Sequence, residues 1–522
     1  MDLAAQSGRE HAADQMQAAH SIGRGSSAPR HAEDAAQAET FQHSPGIQQI
    51  DFDDENKPSR KSSFVAEQVT EIPVPSIHSG FFSPALAPMR RRYFIILGRA
   101  TLLIMGLMWT CLPIYWGALN DSAKLTGNLE SWFIDRDGGR VGRGLSQAAQ
   151  QYSAPGPQLT WQFLNARDVG DDDDIINMVL QEQVWVVVVV QPNASTILST
   201  ARTNGDKTYD PRTAIKVYYS QARNEIATGN YIVPLTTQML QVTTSAYATS
   251  TAQRVFAQID SNGQPNSTAL QMIANAPQTI SPAISWTMVN LRPYTTPAAQ
   301  AATLVGNIFL CIFSFMITMA NSTARAIVSP HMAFLPYLAL RLAVPLIAYL
   351  PLSMSYALVN LAFKLPLGTK YGLGAGFMLS WVYIYLGMAA LGLSIEAMIT
   401  ILTPRFTPFF LFMLILYNVS PVVLPDELQP PIYAYGGGFP IWNLSQALRT
   451  IMFDTNSQLG RNIAVIIAWI LLSCGTITVF TWYMRRRERR ILYELSTRPA
   501  KSAKSVDDAP SKSSKGKEKT VE

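Results

Sequence analysis

The sequence is poor in cysteine, with three among 522 residues: Cys111, Cys311 and Cys474. All three fall inside long apolar runs, so no disulfide framework staples the chain, and any soluble part must fold on its own core. The signatures of common catalytic families are missing as well. There is no Gly-x-x-x-x-Gly-Lys-[Ser/Thr] phosphate loop, no His-Glu-x-x-His zinc helix and no Gly-x-Ser-x-Gly elbow. His78 and His331 have no ligand-spaced partners. These absences argue against an enzyme, and neither a cofactor nor a metal is expected. No strong internal repeat of the kind that marks many secondary transporters is visible. The first 20 residues hold no apolar core, so a cleaved signal peptide is not expected. Export would start instead at the first apolar span, acting as an uncleaved signal anchor.

What the chain does have is long greasy runs. Five lie close together: Thr303–Ala320, Leu335–Phe363, Gly372–Leu402, Phe409–Leu424 and Ile463–Met484. A sixth, Tyr93–Trp116, stands far upstream. A bilayer core takes roughly 20 apolar residues per helix, and lipid offers backbone N–H and C=O groups no partner, so such runs must be helical there. The expected fold is an α-helical polytopic membrane protein of six spans, one plus five, with a large mixed α/β exoplasmic domain. Its parts are a disordered cytoplasmic tail at 1–89, a first transmembrane helix at 93–116 and the exoplasmic domain at 118–298. A five-helix bundle follows at 303–484, with an outer segment at 425–461, then a basic disordered tail at 485–522.

Charge sets the orientation. The net charge of +5 is concentrated where spans end. Arg90–Arg92 precede the first run, and Arg485–Arg487, Arg489 and Arg490 follow the last. By the positive-inside rule both clusters are cytoplasmic, and abutting spans as they do, they are not a nucleic-acid surface. The second also suits anionic lipid. Lys364 and Lys370 argue mildly the other way. Two sequons, at Asn193 and Asn266, fall in the exoplasmic domain and are candidate glycosylation sites. A third, at Asn321, falls in a joint, Asn321–Met332 with Arg325, that this topology leaves in the cytoplasm.

Strands are expected at Leu129–Ile134, Leu159–Phe163, Val184–Val190, Ala214–Tyr219 and Ile284–Leu291. Helices are expected at Gly142–Tyr152, Ile175–Gln183 and Ile232–Ile259. Strands alternating with helices favour a layered α/β arrangement. Asp135, Asp137 and Asp171–Asp174 invite a metal reading, but Asp-Gly-Gly after a strand is ordinary turn chemistry and acids suit a helix N-terminus.

Three ionisable residues fall within the spans: Arg99, Arg341 and Glu396. An unpaired charge near the bilayer centre costs at least ~2.5 kcal/mol, so Glu396 is expected to pair with Arg341, or with Arg99. The same residues would suit a substrate or proton pathway. The outer segment is too polar to span. Its helical part, Ile441–Phe453, places Leu444, Leu448, Ile451 and Met452 on one face, with Asn443, Gln446, Arg449 and Thr450 elsewhere. That pattern fits an interfacial helix, a re-entrant hairpin or a plain outer loop, with Gly436–Gly438 allowing a tight bend.

Two stretches carry a family resemblance. One is Asn128-Leu-Glu-Ser-Trp-Phe-Ile-Asp135-Arg-Asp137-Gly138-Gly139, followed by Gly142. The other is Tyr435-Gly436-Gly437-Gly438-Phe-Pro440, followed by Asn443, Ala447, Arg449, Phe453 and Gly460-Arg-Asn462. With the layout from Arg90 to Arg490, they resemble the fungal nitrosoguanidine-resistance membrane protein family. The plan resembles more distantly the membrane subunits of type-2 ATP-binding-cassette exporters, although no nucleotide-binding domain is attached. The resemblance implies a plasma-membrane protein tied to tolerance of toxic compounds, and it supplies no catalytic residues. The partners expected are membrane lipids, a hydrophobic small-molecule substrate, and a membrane-protein partner or a second copy.

Overall fold

The structure is a computed structural model that describes residues 81–259 and 266–497. Most of the expected N-terminal tail, residues 1–80, and residues 498–522 of the C-terminal tail lie outside the described residues.

Among the described residues, five helices are long and apolar enough to cross a membrane. They are α1 (Ala87–Asn120), α7 (Gly306–Val328), α8 (Phe334–Ala362), α9 (Leu373–Val419) and α11 (Leu459–Thr497). Their outward surfaces are greasy: Trp109, Leu335, Ile347, Leu471 and Val479 are all exposed. In water such a surface would drive aggregation, whereas in a bilayer it meets its own kind. The interior faces are small or hydroxylated instead. A side-chain carbon on Gly392 would stand 2.1 Å from Tyr349 Oη, so only glycine admits the α8 tyrosine there. Ser394 Oγ meets Ser473 Oγ at 3.0 Å across α9 and α11. Close packing and short polar contacts of this kind hold helices together where no hydrophobic force separates them from solvent.

Helix α9 is 47 residues long, about 70 Å if straight, but it doubles back. Thr403 has φ 66° and ψ 157°, outside the helical region. It precedes Pro404, whose ring disfavours helical geometry in the residue before it. The reversal follows from two neighbours of the next helix, α10 (Pro440–Phe453). A side-chain carbon on Gly387 would lie 2.6 Å from Leu444 Cδ2. Asn418 Oδ1 accepts the Ile441 N–H at 3.3 Å. Positions 387 and 418 would be about 46 Å apart along a straight helix, whereas Ile441 and Leu444 are neighbours.

Several element bounds differ from those expected. Helix α1 begins at Ala87 rather than after a tail reaching 89. Helix α11 passes Met484 and runs to Thr497, so Arg485–Arg490 lie on a helix and not in a disordered tail. Helix α7 runs through Asn321 to Val328, so the expected joint begins only after it. The physical reason is Arg325, which finds a carboxylate inside the bundle and need not leave it for water.

The lobe between α1 and α7 is a five-stranded sheet flanked by helices. Its strands are β1 (Ser131–Asp135), β2 (Trp161–Asn165), β3 (Val186–Val190), β4 (Ile215–Tyr219) and β5 (Trp286–Asn290). They are ordered β2-β1-β3-β4-β5, and only the β3–β4 pair is antiparallel. The valine run of β3 is buried on both faces, as a central strand requires. Val186, Val188 and Val190 pack with residues of α2 (Arg140–Gln150), α4 (Ala194–Asn204) and α5 (Val233–Ile259). Val187 and Val189 pack with Ile175 and Val179 of α3 (Asp172–Leu180). Helices α4 and α6 (Ser267–Asn275) were not anticipated. Both are short and rich in Ser, Thr and Asn, which weakens the apolar period that marks a helix in sequence.

Candidate functional site

Two charged constellations stand out, one inside the bundle and one where the lobe meets it. The inner one gathers Arg341 from α8 and Glu396 from α9, as expected, and adds Arg325 from α7. All three are buried, at 3%, 0% and 4% exposure. Arg341 Nη2 lies 2.6 Å from Glu396 Oε1, and its Nε donates to the same oxygen at 2.7 Å. Its Nη1 donates to Thr481 Oγ1 (2.9 Å), and Nη2 also reaches the Glu396 carbonyl (2.9 Å) and Thr400 Oγ1 (2.5 Å). Arg325 Nη1 approaches Glu396 Oε1 to 2.9 Å. That approach is an ion pair off the hydrogen-bonding direction, so Arg325 Nη1 and Glu396 Oε2 both lack a hydrogen-bond partner. Two guanidiniums therefore share one carboxylate, leaving one surplus positive charge in an apolar surround. Arg99 does not take part and lies exposed on α1.

The outer constellation is built on the segment between α9 and α11. The sequence pattern suggested an amphipathic helix there, but α10 is buried on nearly every side, Asn443, Arg449 and Thr450 included. Arg449 faces the lobe, while Asn443 bonds back to the Gly437 and Phe439 carbonyls and Thr450 to the Asn456 carbonyl. Arg449 Nη1 donates to Glu225 Oε2 (2.5 Å) and to the Ala222 carbonyl (3.2 Å). Glu427 accepts from Arg223 Nη2 (3.0 Å) and Trp185 Nε1 (3.1 Å) on the lobe, and its carbonyl accepts from Asn128 Nδ2 (3.1 Å). Arg292 and Lys370 both reach Asp454, at 2.6 and 2.9 Å. The positive charge of Lys370 is thus absorbed locally.

These contacts surround a cavity of about 290 Å³, lined among others by Glu182, Arg223, Glu427, Ser445, Arg449 and Arg461. Burial pushes the Glu182 carboxyl up, with Arg223 the main opposing influence. Burial lowers the Arg223 guanidinium, and Glu427 then Glu182 partly restore it. Such opposed shifts mark groups drawn out of water together.

The glycine motif packs beside this cavity. Tyr435 Oη donates to the Tyr417 carbonyl at 3.0 Å. A side-chain carbon on Gly436 would meet Pro421 Cβ at 2.4 Å. Asn443 Nδ2 donates to the Gly437 carbonyl (2.9 Å), and Trp469 Nε1 to that of Gly438 (2.7 Å). None of the three glycines has a positive φ. Gly436 serves close approach to Pro421 rather than a positive-φ conformation. Pro440 opens α10 at its first turn.

The Asp-Gly-Gly motif is a clamp within the lobe. Asp135 Oδ1 accepts the N–H groups of Asp137 and Gly138, both at 2.9 Å. Asp137 accepts from Ser195 N (2.8 Å) and Ser195 Oγ (2.5 Å), tying the turn to α4. Burial would raise the Asp137 carboxyl, but bonds from Ser195, Gly142 and Gly139 outweigh it and hold it below its usual range. Asp171 and Asp174 form a capping box on α3. Of the candidate glycosylation sites, Asn193 is exposed just before α4 and Asn266 is exposed as the N-cap of α6.

Residues 100–475 match the model of a family described as a protein of unknown function (DUF3533). The chain belongs to this family. It is similar to an uncharacterized endoplasmic reticulum membrane protein, YJR015W, of Saccharomyces cerevisiae: 21% identical over 440 residues, covering 79% of this chain and 84% of the yeast protein. No solved structure matches. With the five apolar helices, these relationships make the chain a polytopic membrane protein.

Sequence reasoning missed Arg325, Arg223, Glu225 and Glu427 as partners. Arg325 follows four helical turns of apolar residues and carried a signal, since an arginine continuing a span implies an acid opposite it. The lobe residues carried none, because their partners lie some 200 positions away.

Proposed function

We propose that this membrane protein contributes to resistance to toxic compounds by exporting hydrophobic molecules or by altering the distribution of lipids across the bilayer. The observation that carries the reading is the buried Arg325–Arg341–Glu396 group. Ionisable residues inside a membrane are expensive and usually mark a pathway or a switch, and this group keeps a surplus charge and two polar atoms that make no hydrogen bond. The reversal at Thr403 supports six crossings arranged one plus five, since each half of α9 then traverses separately. On that topology the lobe at 118–298 is exoplasmic and both termini are cytoplasmic. The resemblance points to the plasma membrane, while the name of the yeast relative points to the endoplasmic reticulum. Imaging of the tagged full-length chain decides between the two compartments.

The experiment is reconstitution of purified protein into liposomes, with fluorescent hydrophobic compounds and labelled phospholipids offered on one side. Movement that depends on the protein and is absent from protein-free liposomes supports the proposal. No movement under any imposed gradient removes it.

A second reading, a non-transporting scaffold or regulator of another membrane protein, is favoured by α1. Its Leu102, Met105, Met108 and Trp109 are exposed, and only its last third, with Cys111 and Ala118, is buried against the rest of the chain. The free flank suits a neighbouring helix, from a partner or a second copy. A permease subunit served by a separate ATPase is a third version, which requires copurification of that ATPase.

A further inference from the structure

We propose that a pocket at the end of the bundle far from the lobe binds a phosphate group, carried by an anionic lipid headgroup or by a free phosphate. The assignment rests on the bundle lying in a bilayer, but not on transport. The pocket encloses about 300 Å³ beside the kink in α9. Thr403 and Pro404 line it, together with Arg325, Arg341 and Arg485. Along α11, Leu459 stands at the lobe side, three residues after Asn456, whose Nδ2 donates to the Gln181 carbonyl of the lobe at 3.1 Å. Thr481, on the pocket wall, is about 33 Å further along. That is the thickness of a hydrocarbon core, so the pocket opens at the opposite headgroup level.

Three guanidiniums face two carboxylates there. Glu396 is shared by Arg325 and Arg341, and Glu488 lies 4.0 Å from Arg485. One positive charge is unmatched. The donors are held in place. Arg485 bonds to the Ser329 carbonyl at 2.9 Å and lies 4.3 Å above the Tyr337 ring, and Arg325 approaches the same ring at 5.7 Å. Arg325 Nη1, on a residue 4% exposed, lies 2.9 Å from Glu396 Oε1 without a directed hydrogen bond, so its donor capacity is not used up. Ser322, Thr400 and Thr481 add hydroxyls to the wall. Forked guanidiniums plus hydroxyls around a surplus charge are the chemistry that recognises a phosphate.

The test uses native mass spectrometry of the full-length protein in detergent, with phosphatidic acid, phosphatidylcholine or inorganic phosphate added. Wild type is expected to retain phosphatidic acid in preference to phosphatidylcholine. Arg325→Gln and Arg485→Gln should each lower retention about tenfold or more, roughly a lost charge-assisted bond. Arg485 is at the rim, so Arg485→Gln keeps the test available if the buried variant does not fold. The double variant Arg489→Gln/Arg490→Gln, outside the pocket, should stay within about twofold of wild type. Competition by inorganic phosphate in place of lipid also supports the site and names the free anion as its occupant. Equal retention by wild type and Arg485→Gln overturns the proposal. So does an equal loss in the double variant, which would assign binding to the basic surface, and so does no phosphate-dependent binding at all.

Discussion

The two charged constellations at opposite ends of the bundle use the same residue types for different ends. In the outer one, Glu182, Glu225, Glu427 and Asp454 face Arg223, Arg292, Lys370 and Arg449, four acids to four bases, and they join segments far apart in sequence. Arg223 meets Glu427, Arg449 meets Glu225, and Arg292 and Lys370 meet Asp454. In the inner one, a single carboxylate serves two arginines on different helices. A balanced set fastens the lobe to the bundle. The arginines of the unbalanced set line a pocket walled by hydroxyls at the other end of the bundle, where the proposed phosphate would match the surplus charge. Position in the membrane, more than residue identity, decides which role a salt bridge plays.

The largest effect that would break this contrast is at Glu396. Glu396→Gln leaves two guanidiniums buried without a counter-charge, and breaking a buried pair costs about 3–5 kcal/mol. The expected outcome is a sharp loss of monodisperse full-length protein in detergent, read by fluorescence-detected size exclusion. A variant as stable as wild type would mean that the inner group is solvated. Next comes Glu427→Ala, which strands Arg223 and the Trp185 N–H. With the carboxylate a third exposed, the expected loss is about 1–2 kcal/mol in thermal unfolding. Its sharpening value lies in location, because hydrogen exchange should rise at the lobe–bundle contact and not around Glu396.

Thr403→Gly acts in the opposite direction. A β-branched residue at this φ and ψ is strained by about 1–3 kcal/mol, and glycine is not, so a gain in melting temperature is expected. A loss would contradict the reversal. The smallest effect is at Glu182. Burial holds its folded pKa above its unfolded value of about 4.3. Its contribution to stability is therefore present below the unfolded pKa and lost as pH rises through the folded one. Glu182→Gln should flatten that decline without altering the inner group, as stability measured across pH would report.

Much of this was legible in the sequence because it depended on local pattern. The apolar runs announced the membrane helices, and the five expected strand segments each overlap a strand, with β1 and β2 running one and two residues further. Val186–Val190 could hardly be anything other than a central strand. The Glu396–Arg341 pairing followed from the cost of a lone charge in lipid. What escaped was non-local. Nothing near Glu427 or Glu225 points to the lobe arginine or the α10 arginine that each meets. Helix α10 looked amphipathic because its polar residues are spaced for an exposed face. The lobe covers Arg449 and the flanking segments cover Asn443 and Thr450, which no helical period contains. Arg325 was misplaced because a positive charge after an apolar run ordinarily marks the end of a span.

The central claim is that the lobe and the Thr403 reversal lie on opposite sides of one bilayer. Single cysteines at Asn193 and Arg405, both exposed, introduced into a variant lacking Cys111, Cys311 and Cys474, test it with a membrane-impermeant maleimide on sealed vesicles of known orientation. The account predicts that the two positions are labelled from opposite faces. Labelling of both from the same face would contradict it.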